Sequence, residues 1–140
     1  MTTEIQMVER IGKQEWLVRV ERSLGDLSAT GEVVVRQESA PEEHSSHAIL
    51  AGSRAWLVLG EKALEEGDVA AAISAARAGL AELGRDYASP IVKDDTGLNI
   101  AVAEELISDG RASDGADLML RMLRTRCSLY VRLHSDEVVR

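Results

Sequence analysis

The sequence predicts a mainly α fold of two antiparallel helical hairpins, preceded by an N-terminal segment with the features of a β-hairpin. Apolar residues recur at steps of three and four through the C-terminal two thirds of the chain, the period of helices with one buried face. Gly67 and Gly110 each interrupt this pattern where a turn between two helices would stand. The 140 residues include no Phe and only two Trp and two Tyr, so the core is expected to be mainly aliphatic, which suits closely packed helices.

The first 40 residues allow more than one interpretation. Residues 4–11 fit a short helix. Apolar and polar residues then alternate around Trp16 to Val20, and a β-branched cluster follows at residues 33–35, so the two segments predict a β-hairpin. Turn-forming residues fill the stretch from Ser23 to Gly31 between them. The alternative is one long helix over about residues 3–24.

The first helical hairpin is predicted over residues 41–85. Its first helix begins either at Pro41, since proline and the acidic residues after it suit a first turn, or at Ser45–Ser46. Gly67 ends this helix and Asp68 caps the next. The second helix is rich in alanine, so the two backbones are expected to approach closely.

The second helical hairpin is predicted over residues 94–135, within a single domain of residues 1–140. Its last helix begins near Ser113 and has apolar residues on two sides. Such a helix either lies centrally in the protein or forms a dimer interface, which predicts self-association as one possibility. The polar end of the chain from Ser135 onward is expected to fray.

Residues of about 53–84 resemble one tetratricopeptide repeat (TPR) unit. The matching features are Trp56, Leu59, Gly60, the turn at residues 67–68, and Ala72, the small residue that packs on the glycine. The resemblance implies a helical hairpin that binds a peptide or a protein in a groove lined by the first helix of each hairpin.

The chain departs from the TPR pattern in two ways. Ala63, Ala76 and Gly84 stand where the pattern has tyrosine, an aromatic residue and proline. A second unit at about residues 96–127 places Ala103 and Gly115 at the crossing but has nothing equivalent to the tryptophan. A closed four-helix bundle therefore remains an alternative to TPR-like stacking.

Several polar residues are candidate contacts for a ligand. The TPR resemblance implies contacts at polar positions between the structural residues. An acidic pair on a long loop could bind a cation, although helix capping explains it equally well. Two arginines on one face of the last helix could hold a carboxylate or phosphate, although ion pairing with acidic helices is the simpler explanation. The candidates are Arg54, Glu61, Lys93, Asp94, Asp95, Asn99, Arg121 and Arg124.

Composition excludes several classes of function. A formal net charge of −8 disfavours nucleic acid and anionic membranes as partners. One cysteine, Cys127, allows no internal disulfide, and its apolar helical position predicts a small core residue. The N-terminus lacks the plan of a signal peptide, and no apolar run reaches the length of a membrane span, so a cytoplasmic protein is expected.

We therefore expect a non-catalytic module that binds a protein or peptide, with no cofactor and no metal. No nucleophile elbow and no phosphate-binding glycine loop is present in the sequence. The alternative is a small helical enzyme or ligand-binding bundle, with Asp94, Asp95 and the histidines around a cation or a small anionic ligand. His44 and His47 have a spacing suited to one metal ion, but the sequence fixes no third ligand.

Overall fold

The structure is a computed structural model that describes residues 5–42, 45–84, 96–133 and 138. It is mainly helical, with an N-terminal antiparallel sheet of three strands in the order β1-β2-β3. The strands are β1 (Ile5–Arg10), β2 (Glu15–Leu24) and β3 (Leu27–Arg36), and the helices are α1 (Ser46–Glu65), α2 (Val69–Leu83), α3 (Thr96–Ser108) and α4 (Ala112–Leu133). None of the helices in the described ranges is both long enough and apolar enough to cross a membrane.

The predicted N-terminal β-hairpin is present as β2 and β3. A two-residue turn joins the strands, and Gly25 adopts a φ of 59° there, which glycine reaches without strain. Val18 pairs with Val33 across the hairpin, and both side chains are fully buried. The sheet therefore contributes one apolar face to the core.

Both helical interpretations of the N-terminus are wrong, because residues 5–10 form β1 and residues 15–24 form β2. The backbone N–H groups of Ile11 and Gly12 both donate to the carbonyl oxygen of Glu15, at 3.0 and 3.2 Å, so the chain reverses here. The spacing of three that suggested a helix includes Ile11, which is 47% exposed and belongs to no buried helical face. Pairing with β2 supplies hydrogen-bond partners for the backbone of residues 5–10, and this outweighs the helical spacing of their apolar side chains.

Gly31 lies within β3, whereas the sequence suggested a turn former. It is buried beneath α1, and a Cβ atom built on it would lie 2.5 Å from the backbone nitrogen of Ala55. The backbones of the strand and the helix therefore touch at this point, which only glycine permits. Gly31 fixes how closely the sheet approaches α1.

Helix α1 lies at the centre of the molecule and packs against β2, β3, α2 and α4. It begins at Ser46, because the hydroxyl of Ser45 accepts a hydrogen bond from the backbone N–H of Ala48 at 3.3 Å. The start at Pro41 is therefore excluded. Gly67 follows the helix with a φ of 85°, as predicted, and Asp68 caps α2 by accepting from the N–H of Ala71.

Helices α1 and α2 run in opposite directions and meet through small residues. Near the end of α1, a Cβ atom on Gly60 would lie 3.5 Å from the carbonyl oxygen of Ala72. Near its middle, the hydroxyl of Ser53 donates to the carbonyl oxygen of Gly79 at 3.3 Å. The order of these contacts is antiparallel, and the small residues allow the two backbones to approach closely.

Helix α4 covers α1 and α2 and also packs against α3. Leu120 fills the space left by Gly60, where a Cβ atom would lie 2.6 Å from the leucine Cδ2. At the other end of α4, the hydroxyl of Tyr130 donates to the carbonyl oxygen of Ser46 at 3.2 Å. Leu120, Leu123 and Tyr130 are buried, so these three apolar side chains of α4 are covered within one chain.

A buried ion pair joins the sheet to α2. The guanidinium of Arg22 in β2 donates to both carboxylate oxygens of Glu82, and the two side chains are 10% and 8% exposed. The pair passes beside α1 at Gly52, where a Cβ atom would lie 2.7 Å from the Glu82 Cδ and 2.8 Å from an Arg22 nitrogen. Gly52 therefore makes room for the ion pair.

The end of the chain returns to the sheet at one residue. Val138 is 4% exposed and pairs with Val35 on the outer edge of β3. The expectation of fraying from Ser135 onward is therefore wrong for Val138, because this apolar residue of a polar segment pairs with the outer edge of β3.

Candidate functional site

A groove of about 400 Å³ lies between the C-terminal half of α1 and the N-terminal half of α4. Leucine side chains provide its apolar surface, and acidic and basic side chains surround them. A volume of this size can hold a few side chains of a bound segment. The lining residues are Glu61, Leu64, Glu65, Asp117, Leu120, Arg121 and Arg124.

Two exposed ion pairs cross or border the groove. Arg124 of α4 donates to the carboxylate of Glu61 of α1, so this pair spans the two helices. Arg121 pairs with Asp117 one turn earlier in α4, with 2.9 Å between Nε and Oδ2. Both arginine side chains are more than half exposed, and pairs of this kind contribute at most about 1 kcal/mol to stability. An incoming charged group can therefore rearrange them at little cost.

The groove has a net negative charge. Its three carboxylates face two guanidinium groups, which leaves a formal charge of −1. Within residues 5–42, 45–84 and 96–133, Glu65 is exposed and has neither a salt bridge nor a side-chain hydrogen bond. The groove thus favours a ligand with a basic group beside an apolar one, and it disfavours a small anion.

The structure brings three of the predicted binding residues together, namely Glu61, Arg121 and Arg124. The ion-pair explanation of the two arginines applies to both, since each has an acidic partner. The resemblance to TPR units implied a groove between the first helices of the hairpins, α1 and α3. The groove described here lies between α1 and α4.

Arg54 lies outside this groove and connects α1 to the sheet. Its Nη1 donates to the carbonyl oxygen of Glu32 in β3 at 2.7 Å. Burial lowers the pKa of the Arg54 guanidinium, and the nearby thiol of Cys127 opposes that effect. Arg54 therefore holds α1 against β3.

The remaining predicted contacts fall on residues or side chains that the structure does not describe. Lys93, Asp94 and Asp95 lie outside the described residues. Asn99 belongs to the first turn of α3, and its side chain is likewise outside the description.

Sequence reasoning missed four residues of the groove, Leu64, Glu65, Asp117 and Leu120. The spacing of four between Asp117 and Arg121 is a signal for a surface ion pair, and it marks the exposed side of α4. Leu64 could not be recognised, because it continues an apolar row with Leu50 and Leu57 and the sequence did not show which part of that row would be covered.

No metal site is found among the described residues. No three His, Cys, Asp or Glu side chains in those ranges are grouped so that they could hold a metal ion. His47 is 6% exposed in the first turn of α1, and His44 lies outside the described residues. The pair His44 and His47 therefore gains no support as a metal site.

Cys127 is a core residue, as predicted. It is 5% exposed, and burial raises the pKa of its thiol from 9.0 to about 11, although the charge of Arg54 partly offsets this. The thiol is therefore protonated at neutral pH and is a poor nucleophile.

No protein-family model, no curated protein and no solved structure matches this chain.

Proposed function

We propose that the chain is a non-catalytic interaction module that binds a protein or peptide segment in the groove between α1 and α4. The observation that supports the proposal is the groove itself, where leucines lie beside the carboxylate of Glu65, which has no salt bridge within the described part of the chain. A segment with an aliphatic side chain for Leu64 and Leu120 and a lysine or arginine for Glu65 fits this combination. The weak ion pairs at the rim can adjust to the bound segment.

The TPR-like arrangement of two helical hairpins is part of the proposal. It is supported by small residues that stand where the two helices of each predicted hairpin meet. Gly60 lies against Ala72 between α1 and α2, and a Cβ atom on Gly115 would lie 2.8 Å from the carbonyl oxygen of Ala103 between α3 and α4. A four-helix bundle would use the same contacts, and the binding proposal is compatible with either arrangement.

The alternative of an enzyme or a small-ligand bundle has no supporting contact among the described residues. It uses Asp94, Asp95 and the histidines around a cation or a small anionic ligand, and Asp94, Asp95 and His44 lie outside the described residues. The groove described here carries a negative charge that opposes an anionic ligand.

Selection from a random peptide library tests the proposal. Selected peptides should combine aliphatic and basic residues, and a labelled peptide should bind the wild-type protein in fluorescence anisotropy. Glu65→Lys reverses the unpaired charge in the groove and should raise the dissociation constant about tenfold, or ~1.4 kcal/mol. Glu66→Lys makes the same change in net charge one residue away, outside the groove, and should bind like the wild type.

Two results would contradict the proposal. One is a library that yields no peptide with specific affinity. The other is a selected peptide that binds Glu65→Lys and Glu66→Lys equally well, which would place the binding site elsewhere.

A further inference from the structure

The two outer edges of the sheet differ in how they are covered. On the outer edge of β3, Val138 pairs with Val35, and the Arg54 guanidinium donates a hydrogen bond to the carbonyl oxygen of Glu32. On the outer edge of β1, no strand pairs within residues 5–42, 45–84, 96–133 and 138. An uncovered strand edge offers a row of backbone donors and acceptors to another strand.

The register of the sheet shows which residues of β1 face outward. Leu24 and Leu27 flank the two-residue turn and form a hydrogen-bonded pair, and such pairs alternate along an antiparallel ladder. The odd-numbered residues of β2 therefore bond to β1. Their partners are Ile5, Met7 and Glu9, which leaves the backbone groups of Gln6, Val8 and Arg10 directed to the open edge.

Strand β1 has only part of the usual protection of an edge. Natural edges are protected by short strands, charged side chains, proline or a bulge, and β1 between residues 5 and 10 has no lysine, no proline and no bulge, while its charged residues are Glu9 and Arg10. Its one basic side chain, Arg10, turns back and donates to the carbonyl oxygens of Gly12 and Lys13 at 3.2 and 2.9 Å. Met7 on β1 is 46% exposed.

We propose that β1 pairs antiparallel with β1 of a second copy of the chain, about a two-fold axis at Val8, so that the two sheets become one. Two such edges bond through the residues whose backbone groups point to the open edge. Only the register centred on Val8 pairs all three of these residues from each copy, Gln6 with Arg10, Val8 with Val8 and Arg10 with Gln6. These three pairs form about six backbone hydrogen bonds. This register places Met7 opposite Glu9 of the second copy and opposes no like charges directly.

Charge opposes a second copy least at this strand. The chain has a net charge of −8, so two copies repel each other over most of their surfaces. Strand β1 carries one glutamate and one arginine and is therefore neutral. The register centred on Glu9, in contrast, would place two glutamates face to face, which is destabilising.

Sedimentation equilibrium of the 140-residue chain measures the dimer directly. The wild type should dimerise reversibly, with a dissociation constant on the order of 100 µM or lower. Val8→Pro removes an outward N–H group without removing a bond to β2, and it should raise the dissociation constant at least about tenfold. Thr30→Pro makes the same change on the outward side of β3 and should leave dimerisation unchanged.

Charge variants at Met7 separate pairing from a loss of stability. In the proposed dimer, residue 7 of each copy lies opposite Glu9 of the other copy. Met7→Lys should therefore lower the dimer dissociation constant about fivefold through two attractive contacts, and Met7→Glu should raise it about fivefold through two repulsive ones. Within one chain Met7 lies opposite Arg19, so the effects of these variants on monomer stability have the opposite sign. The proposal is overturned by a wild type that stays monomeric, by a dimer that is indifferent to Val8→Pro, or by the reverse order of the two Met7 variants.

Discussion

At the scale of single residues, glycines determine how close the elements of this protein come to each other. Gly31 lets β3 touch the backbone of α1, Gly52 makes room for the buried ion pair, and Gly60 accepts Leu120 of α4. All three are buried and none lies in a turn. Their role is therefore the absence of a side chain, since only Gly25, Gly67 and Gly110 use a positive φ in the described ranges.

Gly31→Ala should destabilise the protein strongly. The added methyl group would lie 2.5 Å from the Ala55 nitrogen, and backbone atoms cannot move aside as a flexible side chain can. We expect a loss of about 3 kcal/mol in the free energy of unfolding, at the upper end for overpacking. Chemical denaturation measures this value.

Gly84→Ala is the matched control for that substitution. Gly84 has a helical φ of −65° and ψ of −13° at the end of α2, so alanine fits its backbone. Its free energy of unfolding should stay within about 1 kcal/mol of the wild type. Equal losses in the two variants would show that the strand and helix do not meet at Gly31.

At the scale of elements, the Arg22–Glu82 pair connects β2 to α2 across α1. Glu82→Gln removes the charge of one partner and leaves the other buried, so a loss of about 3–5 kcal/mol in the free energy of unfolding is expected. Glu104→Gln acts on the exposed pair with Arg77, whose side chains are 42% and 52% exposed, and should cost less than about 1 kcal/mol.

Replacing both members of the buried pair distinguishes a lost charge partner from lost packing. The double variant Arg22→Met/Glu82→Leu should recover much of the loss caused by Glu82→Gln, because no buried charge then stays unpaired. If Glu82→Gln were as mild as Glu104→Gln, the pair would not be buried as described.

The helices were largely predictable from the sequence because local residues define their ends. Gly67 and Gly110 have φ values of 85° and 82°, and Asp68 caps α2 as its type suggests. The first strand was not predictable, since its partner β2 decides its conformation and its own apolar spacing suggests a helix. Val138 was missed for the same reason, because its partner Val35 is distant in the sequence.

The candidate site was predictable only in part. Glu61, Arg121 and Arg124 are polar residues on helical faces, and their spacing marks those faces as exposed. Leu64 and Leu120 look like core residues in the sequence. Only the packing of α4 on α1 shows that both also line a groove.

At the scale of the whole molecule, α1 has two roles along its length. Its N-terminal half lies under the sheet, where Ala51 and Ala55 meet Gly31. Its C-terminal half carries Glu61 and Glu65 to the groove with α4. The sheet and the groove therefore use different parts of the helix, so the proposed partner in the groove and the proposed second copy at β1 do not compete for the same part of α1.

Methyl NMR with a library-selected peptide tests the proposed binding site most directly. The methyl signals of Leu64 and Leu120 should shift on titration with the peptide, because both line the groove between α1 and α4. Those of Val18 in β2 and Val33 in β3, which are fully buried, should stay in place. Shifts confined to the sheet valines, with Leu64 and Leu120 unchanged at saturation, would contradict the account.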